Sequence, residues 1–297
     1  MSLRLSPDRS LVLDGAMGTE LIARGLDARA DLAERWVLDR PDAVREIHRG
    51  YVESGAEVLQ TCTFGALRAR LAPHRLAERL AEVCARGVSL AKLEAGRLPV
   101  VASLGPTGLA RPVLDAETAR EIAAQVAEAA AALAGAGADA LHLETQYHPG
   151  ELVAAAAGAR RGAPDLPLWI SVTVALGDGG LVTPHGVPLA RMLAALREAA
   201  PDAIGVNCSL DGERMRDAVE RLVGSGLGPV VARPQARISE KCATGRSQET
   251  PTRFATHAAA LFAAGAAAVG GCCGTHAGSI AALAGAVRAT PATEAAS

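Results

Sequence analysis

The sequence predicts an α/β fold of the (β/α)8, or TIM, barrel type, and three observations carry that expectation. Eight short aliphatic runs alternate with eight longer amphipathic stretches, the pattern of βαβ units around a parallel sheet. The repeats fill roughly 280 residues, the size of one such barrel, and no Pro-, Ser- or charge-rich linker divides them. Polar and reactive residues gather at the C-terminal ends of the runs, the face on which barrels carry their sites. We therefore expect one domain over residues 1–297, with its core at about 10–288 and a frayed tail from 290 onward.

The expected strands are 10–14, 57–61, 99–104, 140–144, 168–174, 203–207, 229–233 and 267–271. The expected helices are 42–54, 75–95, 116–136, 150–160, 188–199, 213–224, 252–264 and 277–290. Asp115 is a suitable N-cap, with Glu117 in the first turn suiting the helix dipole, although Thr118 stands where a full capping box needs Glu or Gln. Gly135, Gly224 and Gly265 are placed to end helices. An open dinucleotide-binding sheet is the competing architecture. Its glycine fingerprint is incomplete here, because Gly15 and Gly18 after the first strand lack the third glycine.

Composition removes several functions. With 49% hydrophobic residues and a mean hydropathy of +0.19, the chain can bury a core and is not disordered. Lys+Arg 30 against Asp+Glu 32, with 2% aromatics, gives neither the charge nor the stacking surface for nucleic acid. No apolar segment follows the N-terminal arginines, and none elsewhere has membrane-spanning length, so a soluble cytoplasmic protein is expected. Six cysteines in this length do not make a disulfide scaffold.

Three of those cysteines fall at strand ends: Cys208 after the sixth run, and the vicinal pair Cys272 and Cys273 after the eighth. Three thiolates suit Zn²⁺ and leave its fourth tetrahedral position open, as a catalytic site requires. Gly270, Gly271 and Gly274 would let the backbone bend to bring adjacent side chains together. By spacing alone, a vicinal redox disulfide and ordinary packing remain alternatives. Cys84 and Cys242 read as small buried hydrophobes.

Five segments together resemble the zinc-dependent homocysteine S-methyltransferase family: Leu13-Asp14-Gly15-Ala16-Met17-Gly18-Thr19-Glu20-Leu21, Gln60-Thr61-Cys62-Thr63-Phe64-Gly65-Ala66, Leu143-Glu144-Thr145, Val206-Asn207-Cys208-Ser209 and Gly270-Gly271-Cys272-Cys273-Gly274-Thr275. They occur in order between about 10 and 285, and the last is highly specific. Arg40-Pro41-Asp42, Ile47-His48, Tyr51 and Gly55-Ala56-Glu57 resemble most closely the homocysteine-binding module of cobalamin-dependent methionine synthases.

The resemblance implies zinc on Cys208, Cys272 and Cys273, and methyl transfer to the thiol of homocysteine to give methionine. It also implies that Glu144 meets the substrate ammonium. The turn Asp14-Gly15-Ala16 would offer backbone N–H groups to the substrate carboxylate. Asn207 is expected to orient a ligand or the strand end, and Thr61 to line the pocket or serve as an ordinary strand residue. His142 and His148 are expected to be structural, and His276, which follows the cysteine motif, is left open between a place in the site and a helix start.

Two loops depart from the family pattern, at Cys62 and at Pro234-Gln235-Ala236-Arg237, and both are assigned to the methyl-donor side. The donor therefore stays open among a methylcorrinoid on a separate protein, S-methylmethionine, S-adenosylmethionine and betaine. A different thiol or selenol acceptor, a non-catalytic homocysteine-binding subunit and a Cys272–Cys273 redox sensor are the competing functions. A Schiff-base aldolase barrel is disfavoured, because it needs a lysine at a strand end, whereas Lys92 falls in a helix and Lys241 in a loop after the seventh strand.

Overall fold

The computed structural model describes residues 3–6, 9–110, 113–236 and 249–289. Cys242, Lys241, Arg237 and the tail from 290 lie outside the described residues. The eight barrel strands are Leu11–Val12, Leu59–Gln60, Val100–Leu104, Ala140–Gln146, Leu168–Val172, Ala203–Asn207, Val230–Arg233 and Ala266–Val269, each at its expected place. They are parallel neighbours in the order first, eighth, seventh, sixth, fifth, fourth, third, second. A parallel bridge between Leu13 and Val58 joins the two ends and closes the cylinder. Closure is reinforced where the Glu57 N–H donates to the Val12 carbonyl at 2.7 Å.

The period of two along the strands sorts the side chains. One apolar cluster holds Leu11, Leu13, Val58, Val101, Ala140, Trp169, Ala203, Val231 and Ala268, at least one residue from each stave, and it fills the lumen floor. Trp169 is accommodated because several of its partners are alanines. Two residues further along the same inward rows come Gln60, Ser103, His142, Ser171, Gly205 and Arg233, so the lumen turns polar toward the strand C-termini. A Cβ on Gly205 would sit 2.3 Å from Ser171 Oγ, so glycine is required there. The other face of every strand packs under the helices in a second, larger apolar core.

All eight expected helices form within a few residues of their assigned limits, and Asp115 caps Ala116–Gly135 by accepting from the Thr118 N–H at 2.7 Å. Of the proposed helix-ending glycines, Gly265 takes the left-handed conformation, with φ of 98°. At the other two ends that role falls to Gly137 and Gly226, two residues later. The sequence reading missed the helix Met17–Ala23, whose length is marginal for periodicity, and an antiparallel hairpin of Ala175–Gly177 with Gly180–Val182. No helix among the described residues is long and apolar enough to cross a membrane.

His48, on the helix Pro41–Glu53, is fully buried, and neither ring nitrogen has a hydrogen-bond partner among the described residues. Burial pushes its pKa down to about 4, against a weaker upward pull from Glu94. The folded chain thus refuses a proton that the unfolded chain accepts below pH 6.5, and stability falls as pH drops through that window. At pH 5 this costs about 2 kcal/mol. His48→Leu should raise the urea midpoint at pH 7 and shrink the loss between pH 7 and 5 by about that amount. An unchanged loss in the variant would refute the assignment.

Candidate active site

Loops at the C-terminal end of the barrel surround a cavity of about 380 Å³. Cys208, Cys272 and Cys273 sit in its wall, and their sulfurs all lie within 4.8 Å of one another. Cys208 Sγ and Cys273 Sγ are 3.8 Å apart, and none of the three is in a disulfide. Backbone hydrogen bonds hold this convergence: Cys208 N–H donates to the Arg233 carbonyl at 3.0 Å, and Cys272 N–H to the Pro234 carbonyl at 2.8 Å. Cys208 and Ser209 are both left-handed, with φ of 60° and 53°, a conformation costing on the order of 1 to 3 kcal/mol per residue. That cost is offset by Gln235 Nε2 donating to the Ser209 carbonyl at 3.0 Å and by the Ser209–Thr173 hydroxyl contact at 2.8 Å.

The glycines of the eighth strand end are needed for space. A Cβ on Gly271 would lie 2.3 Å from Thr275 Oγ1, and one on Gly270 would lie 2.6 Å from the Asp14 carbonyl oxygen. Thr275 Oγ1 in turn donates to the Cys272 carbonyl at 2.7 Å and accepts from the Ala16 N–H at 3.0 Å, stitching the cysteine loop to the first strand's loop. Mutual hydrogen bonding with the Cys272 thiol is the main reason the Cys208 pKa is pushed up to about 12, with burial adding to it. A sulfur cluster in which the Cys208 and Cys272 thiols both resist ionisation is a donor set suited to a cation, which would stabilise them as thiolates. The cluster can hold a metal ion.

Glu144, at the end of the fourth strand, lines the same cavity. Its Oε1 accepts from Gln60 Nε2 at 2.5 Å and from the Ser103 hydroxyl, so Oε2 is left toward the cavity. Burial raises its pKa, opposed by Arg233 and by those two hydrogen bonds. The Gln60 amide has its orientation set from behind, since its Oε1 is 3.0 Å from His142 Nδ1, whose Nε2 is 2.7 Å from Ser171 Oγ. Gln60 spends its NH2 on Glu144, so His142 must donate from Nδ1 and accept at Nε2. His142 is structural, as expected, and its pKa is depressed to about 3, mainly by burial. His148 is also structural, accepting from the Glu151 N–H to cap a helix, as is His276, which accepts from the Gly278 N–H.

Asp14 is buried and engaged. It accepts from Arg233 Nη2 at 2.9 Å and from the Gln60 N–H at 2.7 Å. Of the three amides in the Asp14-Gly15-Ala16 turn, those of Asp14 and Ala16 are already donated, to Val58 and Thr275, which leaves that of Gly15. Thr61 Oγ1 accepts from the Ser103 N–H at 3.1 Å and contacts Thr63 Oγ1, so it couples the second and third strands while lining the cavity. Asn207 is fully buried and outside the cavity wall. Its Oδ1 accepts from the Thr145 N–H and its Nδ2 donates to Thr145 Oγ1, both at 2.8 Å. It thereby holds Thr145 at a φ of 61° and sets the direction of the turn beside Glu144.

Sequence reasoning missed Gln60, Ser103 and Arg233 as site residues. Each breaks an aliphatic run on its inward row, and a buried arginine needs anionic partners, which Arg233 finds in Asp14 and, at longer range, Glu144.

An α/β barrel with a convergent thiol trio and a buried carboxylate at its C-terminal rim defines a ligand-binding barrel with a metal-capable centre. Residues 11–287 match the family model for homocysteine S-methyltransferase, and the chain belongs to that family. It is 32% identical over 297 aligned residues to the homocysteine S-methyltransferase of Escherichia coli K12, covering 92% of this chain and 94% of that protein. The crystal structure of the metallated E. coli homocysteine methyltransferase MmuM superposes with a TM-score of 0.75 at 30% identity, covering 93% of this chain and 95% of that one. Methionine synthase of Mycobacterium leprae is 31% identical over 288 residues, covering 90% of this chain. The chain spans about a quarter of the length of the methionine synthases it matches.

Proposed function

We propose that the protein transfers a methyl group to the thiol of L-homocysteine, forming methionine, at a Zn²⁺ site made by Cys208, Cys272 and Cys273. The Cys208–Cys273 sulfur separation of 3.8 Å carries this reading. Two thiolates at ~2.3 Å from one tetrahedral ion stand about 3.8 Å apart. A bound zinc would supply a positive charge that favours loss of the proton from an incoming thiol, with one coordination position left for it.

The remaining work belongs to the chain's own residues. Glu144 Oε2 receives the substrate ammonium, while Gln60 and Ser103, backed by the His142–Ser171 pair, hold the carboxylate through its other oxygen, Oε1. The Gly15 N–H, beside the turn fixed by Arg233 and Asp14, meets the carboxylate. Asn207 acts through Thr145 as a positioning residue. The apolar wall excludes water from the reacting sulfur. The metallated form of the E. coli relative supports a metal here, and that relative's name supports the acceptor. Whether a corrinoid protein takes part rests on the methionine synthase likeness. A reducing cytoplasm would keep the thiols available.

The test is a donor panel. Zinc-loaded protein is incubated with homocysteine and, in turn, S-methylmethionine, S-adenosylmethionine, glycine betaine or methylcobalamin, and methionine is measured. Formation from at least one donor is expected, together with zinc near one per chain. Absence of methionine with all four would defeat the reading.

A further inference from the structure

Tyr51, on the helix Pro41–Glu53, is 1% exposed and lies outside the cavity wall. It nevertheless packs directly behind the Asp14-Gly15-Ala16 turn. Its hydroxyl donates to the Ala16 carbonyl at 2.7 Å. Its ring fills the space beside Gly15, where a Cβ would stand 2.7 Å from Tyr51 Cε1 and 2.7 Å from its hydroxyl oxygen. Gly15 is therefore glycine because Tyr51 is there. Burial, with Asp14 and Glu20 nearby, raises the Tyr51 pKa well above its usual value, so the hydroxyl stays protonated and donates at neutral pH.

The backbone groups of the turn are spent, with one exception. The Asp14 N–H donates to the Val58 carbonyl at 3.2 Å, and the Asp14 carbonyl accepts from the Gly271 N–H at 2.9 Å. The Gly15 carbonyl accepts from Arg233 Nη2 at 3.2 Å, and the Ala16 N–H donates to Thr275 Oγ1 at 3.0 Å. Tyr51 takes the Ala16 carbonyl. The Gly15 N–H is left without a partner among the described residues, and Gly15 lines the cavity. Val58, Gly271, Arg233 and Thr275 belong to barrel strands or the loops beside them, whereas Tyr51 reaches the turn from an outer helix.

A lone donor recognises a carboxylate only if its direction is fixed, since a misplacement of about 1 Å forfeits the contact. We infer, on the reading above that puts the homocysteine carboxylate at Gly15, that Tyr51 is a positioning residue for carboxylate recognition, and that through the Gly15 N–H it makes the site select α-amino-acid thiols over thiols carrying the ammonium alone. Tyr51 acts through the turn and meets no reacting atom. Without its hydroxyl the Ala16 carbonyl is buried and unpaired, so the turn shifts toward another partner and carries the Gly15 N–H with it. The carboxylate contact is the same before and during methyl transfer. The loss therefore falls in homocysteine KM and spares kcat.

Tyr51→Phe keeps the ring against Gly15 and removes the hydroxyl alone. The probes are L-homocysteine and 3-aminopropane-1-thiol, which has the same chain, thiol and ammonium but no carboxylate. Each is titrated calorimetrically into zinc-loaded wild type and variant, weak binding of the aminothiol being read by competition against homocysteine. Homocysteine binding should weaken about five- to thirtyfold in Tyr51→Phe, with a matching rise in KM and with kcat near wild type. Aminothiol binding and zinc content should be unchanged. Tyr51→Leu, which also removes the ring, should weaken homocysteine further and spare the aminothiol; if it does not fold, Tyr51→Phe carries the test by itself. Equal weakening of both thiols, loss of zinc, or wild-type homocysteine binding in Tyr51→Phe would overturn the inference. Wild type binding both thiols equally well would instead bring down the placement of the carboxylate at Gly15. Failure of wild type to bind homocysteine at all would bring down the methyl-transfer reading itself.

Discussion

Cys272→Ser is expected to strip the metal and abolish turnover. A structural four-ligand zinc site is worth about 10 to 16 kcal/mol, so each sulfur carries on the order of 3 to 4 kcal/mol, or a few hundredfold in affinity. Serine's loss is at the larger end, because its hydroxyl does not ionise near neutrality and is a poor match to a borderline-soft ion. The fold should survive: the loop is tied by the Cys272 N–H to Pro234, the Ala236 N–H to the Cys273 carbonyl and the Thr275 hydroxyl to the Cys272 carbonyl, none of which uses the sulfur. Cys84→Ser is the matched control. Cys84 is fully buried in the helix Leu80–Ala95, and desolvation raises its pKa to about 12. That change should cost about 1 to 3 kcal/mol of stability through an unpaired hydroxyl and leave zinc and kcat near wild type. Metal analysis and turnover on both variants check the pair. Retained zinc in Cys272→Ser, or equal loss in both variants, would contradict the metal assignment.

The contrast between these two cysteines was available before any coordinates. Cys84 falls in the interior of an amphipathic run, while Cys208, Cys272 and Cys273 follow aliphatic runs at the end where a barrel opens. Strand positions were legible because the staves are short, wholly buried and bounded by helices with recognisable starts. The trio was legible as a candidate cluster because the barrel topology brings the ends of the sixth and eighth strands within reach of each other, and the family resemblance singled out the trio and Glu144 from the alternatives.

What could not be read was the partner of each polar group. Arg233 looks in sequence like the hydrophilic stop of its strand, yet it closes an ion pair with Asp14, 219 residues away. Thr61 and Asn207 were placed in the right region, but their hydroxyl and amide are spent on Ser103 and Thr145, contacts set by the register of adjacent staves.

Glu144→Gln should separate substrate recognition from metal binding more sharply than truncation would. The substituted amide can still present an oxygen to Gln60 and Ser103, so the wall of the cavity is kept. The atom that changes is the one facing the cavity: an anionic oxygen becomes an NH2 group that repels an ammonium. Removing one member of a buried, hydrogen-bonded charge pair costs about 2 to 5 kcal/mol, so homocysteine KM should rise by about a hundredfold or more. The effect on kcat should be small, because the ammonium lies away from the reacting sulfur and its contact is the same before and during transfer. Zinc content should stay at the wild-type level, since Glu144 touches none of the three sulfurs through a hydrogen bond. Steady-state kinetics with homocysteine varied at saturating donor, alongside metal analysis, make the measurement. A wild-type KM would remove Glu144 from ammonium recognition, and a loss of zinc without a change in KM would place it with the metal instead.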